Sequence, residues 1–298
     1  MGGKSNRAGL RPYTTQIVIT GLMATAPMIA SPAPAAEIDS EHLFGFTEGS
    51  DIGKAGDKEL EVEGGGRLGK RNGSYSAVGG GVEGKFTITD YFRVSPGLHL
   101  AHLNISDVLG IQDRRSVAYE AVTLEMKFRL LDRAAGPFGL TLGVAPQFGF
   151  VDEKSGARAR VYGVDVLIAA DKEIVPDKLF GAANLRYEPA SSRVSGSGEW
   201  ERGSGIAASG ALATQIHPGI FVGGEIQYQR SIGGLGVNAF TGHAVFLGPT
   251  CYARLSEQVW FAAAWSFQVA GSAADETGQL DLTNFERQEF KVRVGYGF

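Results

Sequence analysis

The sequence predicts an all-β chain: a transmembrane antiparallel up-and-down β-barrel of about 12 strands, within a range of about 10–14. Three observations lead there. Apolar and polar residues alternate with period 2 along nearly all of the chain after residue 56. The alternating runs reach about 10–14 residues, enough for a tilted strand to cross a bilayer, where a soluble sandwich would use about five or six. The connections between runs alternate between short and long, as barrel turns and loops do.

The elements follow in order. Residues 1–36 carry Lys4, Arg7 and Arg11, then an apolar run at 17–30, then the small residues SPAPAA. Charged, apolar and small-residue regions in that order read as a secretory signal peptide cleaved after Ala35 or Ala36. The apolar run is shorter than the roughly 20 residues of a membrane helix. Residues 37–56 lack sustained alternation and read as a periplasmic tail; the alternative is a lumen plug anchored by Leu43, Phe44 and Phe46.

The barrel occupies residues 57–298. Leu60 and Val62 alternate with Glu59, Glu61 and Glu63; Val78, Val82, Phe86 and Ile88 alternate with Tyr75, Glu83 and Lys85. Phe92, Val94, Leu98 and Leu100 oppose Arg93, Ser95 and His99. In 118–130, Ala118, Val122, Leu124, Met126, Phe128 and Leu130 oppose Tyr119, Thr123, Glu125, Lys127 and Arg129, with Glu120 breaking the apolar line. Phe138, Leu140, Leu142, Val144, Phe148 and Phe150 follow. Tyr162, Val164, Val166 and Ile168 come next, opposite Asp165 and Asp171; then Leu179, Leu185 and Tyr187 face away from Asn184 and Arg186. The Ala/Ser/Gly-rich run 204–216 is the weakest strand. Ile220, Val222, Ile226 and Tyr228 oppose Glu225, Gln227 and Gln229, and 240–253 is apolar on both faces. Val259, Phe261, Trp265, Phe267 and Val269 precede the last strand, in which Phe290, Val292, Val294, Tyr296 and Phe298 alternate with Glu289, Lys291 and Arg293 beyond Arg287.

Short connections fall near 88–91, 131–137, 172–178, 217–219 and 254–258, and longer ones near 69–74, 104–117, 151–158, 188–204, 230–239 and 271–284. An even strand count then places both ends of the barrel on the short-turn, periplasmic side. Aromatics toward strand ends (Phe86, Tyr91, Phe92, Phe128, Phe138, Phe148, Phe150, Tyr187, Tyr228, Trp260 and Phe298) suit an interfacial girdle.

The alternating last strand, closed by Phe298, resembles the C-terminal signal strand of Gram-negative outer-membrane β-barrels. That resemblance implies an outer-membrane location. It makes Phe290, Val292, Val294, Tyr296 and Phe298 the signal read by the barrel-assembly machinery, with outer-membrane lipids as the surrounding partner. The chain also looks like the small barrels assigned as transporters beside aromatic-degradation pathways.

With the apolar face toward lipid, the alternate face lines the lumen. Its charged residues are Glu59, Glu61, Glu63, Arg93, Glu125, Lys127, Arg129, Asp165, Arg186, Glu225, Arg287, Glu289, Lys291 and Arg293. The acidic first row and basic last row are expected to meet across the closing seam. The expected function is a narrow channel for passive uptake of a small solute. Two alternatives stand beside it: a filled structural or adhesive barrel binding partners through its loops, and an interfacial lipid-modifying enzyme. Ser95 and His99 share a strand face four residues apart, about 13 Å, too far for a catalytic couple, so no enzyme is expected. The lone Cys251 allows no intramolecular disulfide or multi-cysteine metal site. Gly64–Gly66 and Gly79–Gly81 lack the context of phosphate loops, so no cofactor or metal is expected. The formal charge of −4, which becomes −7 without residues 1–36, argues against nucleic acid.

Overall fold

The computed structural model describes residues 38–298 apart from 153, 154, 197 and 275–277, so the expected signal peptide lies outside the described residues. Twelve strands close on themselves. They are β1 (Lys58–Leu68), β2 (Ser74–Thr89), β3 (Phe92–Ser106), β4 (Arg114–Leu131), β5 (Gly139–Val151), β6 (Arg158–Val175), β7 (Leu179–Val194), β8 (Glu201–His217), β9 (Ile220–Ile232), β10 (Phe240–Arg254), β11 (Val259–Ala273) and β12 (Gln288–Gly297). Each pairs antiparallel with its sequence neighbour, and β1 pairs antiparallel with β12 to close the barrel. Closure leaves no unpaired strand edge, which is what a β-structure needs in a medium that cannot hydrogen-bond its backbone.

The barrel is inverted relative to a water-soluble fold. On β1 and β12, Val62 and Val294 are 49% and 41% exposed, while Glu61 and Arg293 are 5% and 4% exposed. Apolar side chains point outward and charged ones inward, the arrangement of a transmembrane barrel. At the seam, Glu63 stands opposite Arg293. The ion pairs run diagonally, from Lys291 Nζ to Glu63 at 3.1 Å and from Arg293 to Glu61 at 3.9 Å. Each such cross-strand pair contributes about 0.2–1 kcal/mol. It also favours this register, since a one-residue slip would turn the charges toward lipid.

Two expectations about facing are corrected. Glu120 breaks the apolar line because the β3–β4 register shifts there: His99 pairs with Ala121 and Leu100 with Tyr119. A bulge absorbs one residue and reverses parity. Beyond it Val117 and Tyr119 face outward, 73% and 64% exposed, and Ala118 faces in. Trp260 is not part of an outer girdle; it points into the lumen, is 6% exposed and stacks on His42 at 3.9 Å.

The periplasmic-tail reading of residues 37–56 is also corrected. From residue 38 to 52 this segment lies inside the barrel, with Leu43 and Phe44 fully buried. They pack with Phe180, Ala182, Ala211, Ala213, Phe221, Tyr252, Trp260 and Ala262, all on the inner wall. Half of these wall residues are alanine, which leaves room for a second layer of chain between the aromatics. Burying Leu43 and Phe44 contributes about 1.5–3 kcal/mol each.

Candidate channel lumen

The inner wall binds the segment through its backbone as well as its side chains. Glu225 on β9 accepts three hydrogen bonds, from the N–H groups of Gly45 (2.6 Å), Phe46 (3.0 Å) and Thr47 (2.6 Å). Asn184 on β7 accepts from the N–H of Glu48 at 2.7 Å and donates to its carbonyl at 2.8 Å. Thr141 and Thr87 donate to the carbonyls of Ser50 and Ile52 at 2.5 and 2.8 Å. Arg293 donates to the Phe44 carbonyl at 2.6 Å. Arg133, in the β4–β5 turn, donates to the Ile38 carbonyl at 2.9 Å and pairs with Asp171, which also accepts from Ser50. A buried backbone without sheet partners must find its hydrogen bonds elsewhere, and here the wall supplies them.

Charge complementarity adds to this. Arg93 forms a two-pronged pair with Glu41, and Lys127 reaches Glu41 at 2.8 Å and Glu48 at 2.5 Å. Arg129 binds Asp51 at 2.6 Å, and Arg186 binds Glu48 at 2.8 Å while pairing with Asp165. The segment therefore supplies the anions that neutralise a basic stripe on β3, β4 and β7. Breaking one member of a buried pair costs about 3–5 kcal/mol because the other charge is left unpaired.

Of the sequence-predicted lumen residues, Arg93, Lys127, Arg129, Arg186, Glu225 and Arg293 touch the segment directly. Glu125 is half-buried, 3.5 Å from both Arg93 and Lys127. Glu63 and Lys291 pair with each other, and Glu289 lies 3.3 Å from Gln229. Arg287 departs from the expectation: it precedes β12 and is exposed at the rim. Lys85, Asp171 and Asn184, which the alternation also turned inward, carry much of the binding together with Arg133 and Trp260, which it did not place in the lumen.

The remaining predicted residues, Glu59 and Glu61, belong to a second cluster around Lys85. The Lys85 ammonium donates to Glu61 at 2.6 Å and to His42 Nε2 at 2.8 Å, and lies 3.1 Å from Glu59. His42 Nδ1 faces Asp39 at 2.5 Å, so the ring bridges Asp39 and the Lys85 ammonium. Asp39, His42 and Glu59 bring metal-ligating atoms within 4.8 Å of one another. The Lys85 ammonium already stands among them, so the cation position is filled by the protein itself. Trp260 donates to Glu59 at 2.8 Å and holds the far wall of this cluster.

Acid should weaken the seating. Burial pushes the Glu41 carboxyl up, but Arg93, Lys127 and Lys85 outweigh it and hold it well below the usual carboxylate range. Glu48 is lowered as well, by Lys127 and Arg186 acting against burial. A carboxylate depressed in the folded state contributes stability above its unfolded pKa, about 4.3, and loses it as pH falls through the folded value. The segment is expected to stay seated from pH 7 to 5 and to loosen only below about pH 4. Solvent protection of the Leu43 and Phe44 amides across that range measures this; loss of protection already at pH 6 would contradict it.

Comparison with known proteins places the chain. A family model covers residues 36–298, the inserted segment and the whole barrel together. The chain belongs to DUF6662, a family of unknown function. No curated protein matches it. Among solved structures, this DUF6662 chain is similar to the COG4313 outer membrane channel from Pseudomonas putida F1, at 12% identity and a TM-score of 0.59, covering 84% of this chain and 98% of that one. It also aligns with the NanC porin, at 12% identity and a TM-score of 0.48, over 80% and 98% of the two chains. The translocator domain of autotransporter NalP from Neisseria meningitidis aligns at 14% identity and a TM-score of 0.47, over 84% and 90%. At such identities the first match shows a shared fold: the DUF6662 chain has the fold of Gram-negative outer-membrane β-barrels.

Proposed function

We propose that this protein is an outer-membrane channel for small solutes, closed in its periplasmic half by its own N-terminal segment. The observation that carries the reading is the separability of wall and filling. The strand ladder closes fully from β1 to β12 without the segment. The segment is held by hydrogen bonds and ion pairs, which can be exchanged for water, and by the packing of two large apolar side chains, Leu43 and Phe44. On the extracellular side of the segment the lumen is still polar, with Glu63, Lys291, His99 and Gln229 half-buried on the inner wall. The fold it shares with a channel supports the reading, and the charged interior supports passage of a hydrated polar solute.

Planar-bilayer recording of the refolded mature protein tests it, with folding confirmed by heat-dependent gel mobility. Small, infrequent conductance steps are expected from the intact chain. Glu225→Ala orphans three buried N–H donors at about 1–3 kcal/mol each, and should raise the open fraction by at least about tenfold. The filled structural barrel is the second reading, favoured by the pairing of Arg93, Lys127 and Arg129 with the segment. It predicts a folded Glu225→Ala protein that never conducts.

A further inference from the structure

The outward face carries its own charge pattern at the extracellular ends of β6, β7 and β8. Arg160 alternates with the buried Ala159 and Gly163 and therefore points away from the lumen. It stands directly opposite Arg193 of β7 in the strand register. On the other side of β7, Arg202 of β8 pairs with Ser191, two residues from Arg193 and on the same outward face. Directly opposed residues have Cβ atoms about 4.5–5.5 Å apart, and diagonal ones about 7–8 Å. Three guanidiniums are thus gathered on adjacent strands, and none pairs with a carboxylate among the described residues. Like charges set opposite each other are destabilising unless an anion lies between them.

Their height on the wall is marked by aromatics. The Arg193 guanidinium lies 5.3 Å from the Trp200 ring, Trp200 packs on Tyr162 at 5.7 Å, and Tyr162 packs on Phe148 at 5.2 Å. Below Tyr162 the outward residues of β6 are Val164, Val166 and Ile168, the hydrocarbon-facing stretch. Aromatic girdles sit at the membrane interface, so the arginines just beyond this one stand at the level of lipid headgroups. Further round, Arg230 and His243 are opposed in the β9–β10 register, with Arg230 4.9 Å from the Phe240 ring, and they continue the band.

We propose that Arg160, Arg193 and Arg202 form a binding site for the phosphate groups of a phosphorylated glycolipid in the outer leaflet. The inference rests on the outer-membrane reading above. The guanidinium fork matches a phosphate bidentately. A phosphomonoester carries close to two negative charges. A zwitterionic phospholipid offers a phosphate already offset by its own ammonium, so it fits a three-arginine cluster less well. The occupant would relieve the Arg160–Arg193 opposition and pin β6, β7 and β8 to the leaflet.

The test is the thermal unfolding midpoint of the refolded mature protein in non-ionic detergent. It is measured with bis-phosphorylated lipid A, with the same lipid dephosphorylated, and with inorganic phosphate. An upward shift of several degrees is expected from the phosphorylated lipid alone, weakened by salt and abolished in the R160Q/R193Q/R202Q variant. Equal shifts from both lipids, no shift from either, or a full shift retained in the variant would overturn the proposal. A full shift from inorganic phosphate would overturn the lipid assignment. Should the triple variant not fold, Arg193→Gln alone replaces it, and the comparison of the two lipids on the unaltered protein still decides. Conductance steps in a zwitterionic bilayer without any lipid A effect would sink this site and leave the channel reading standing.

Discussion

Removing residues 38–52 is expected to open the lumen: conductance should rise by at least several-fold, with long open times replacing infrequent steps. A barrel of about twelve strands is wider than the eight-stranded size that side chains fill unaided, so the space vacated becomes water. The barrel itself should survive, since none of its ladders passes through the segment. Its thermal stability should fall, because Leu43 and Phe44 no longer fill the alanine-lined pocket and Arg93 and Lys127 lose Glu41. Heat-dependent gel mobility reports the barrel and bilayer recording reports the pore. A synthetic peptide with the sequence of residues 38–52, added from the periplasmic side, should reduce the current of the shortened protein. A shortened barrel that folds and stays silent would show that the wall residues alone close it.

The second large effect needs one methyl-bearing carbon in the wrong place. A Cβ on Gly45 would overlap the Ala264 methyl and come within 3.0 Å of the Glu225 carboxylate. Gly45→Val therefore cannot keep both the alanine contact and the three-fold clasp of Glu225. Overpacking of this kind costs about 1–3 kcal/mol, equivalent to a roughly 5–150-fold rise in the open fraction. Ala264→Gly removes the methyl on the wall side, so the double variant should recover part of the closure. Adjacent residues sharing one steric conflict are expected to be non-additive in this way. Strictly additive effects on open probability would mean that Gly45 and Ala264 do not meet in the working protein.

The barrel was legible in the sequence because each strand carries its own signal: Val62 against Glu61 and Glu63, or Val292 and Val294 against Arg293, is a local pattern. The facing of Tyr119 was not legible, because a bulge at Glu120 changes parity without changing composition. The inserted segment, which the sequence left between a tail and a lumen plug, was not legible for a different reason. Its partners lie far off in the sequence, and a short stretch without alternation looks the same in water as in a lumen. A signal was nonetheless present. The inward row of β8 includes Ala211 and Ala213, and that of β11 includes Ala262 and Ala264. That row made 204–216 the weakest strand to recognise. Small residues on an inner wall leave a volume, and something in the chain must fill it. Likewise nothing local marks Glu41, Glu48 and Asp51 as buried; their burial comes from the basic stripe of Arg93, Lys127 and Arg129, whose side chains pair with them.

The Glu225 clasp joins residues 178 to 180 positions apart, and the Arg293–Phe44 bond spans 249. Such contacts carry a chain-closure cost that grows with the logarithm of the separation, and they cannot form until the distant strand exists. Maturation therefore has a fixed order in time: β9 to β12 must be in place before residues 43–47 have anywhere to dock. On the proposed reading, the lumen is closed only once the last strand is in place. Closure is in that sense a certificate of completed assembly, issued by a segment that precedes every strand of the barrel in the chain.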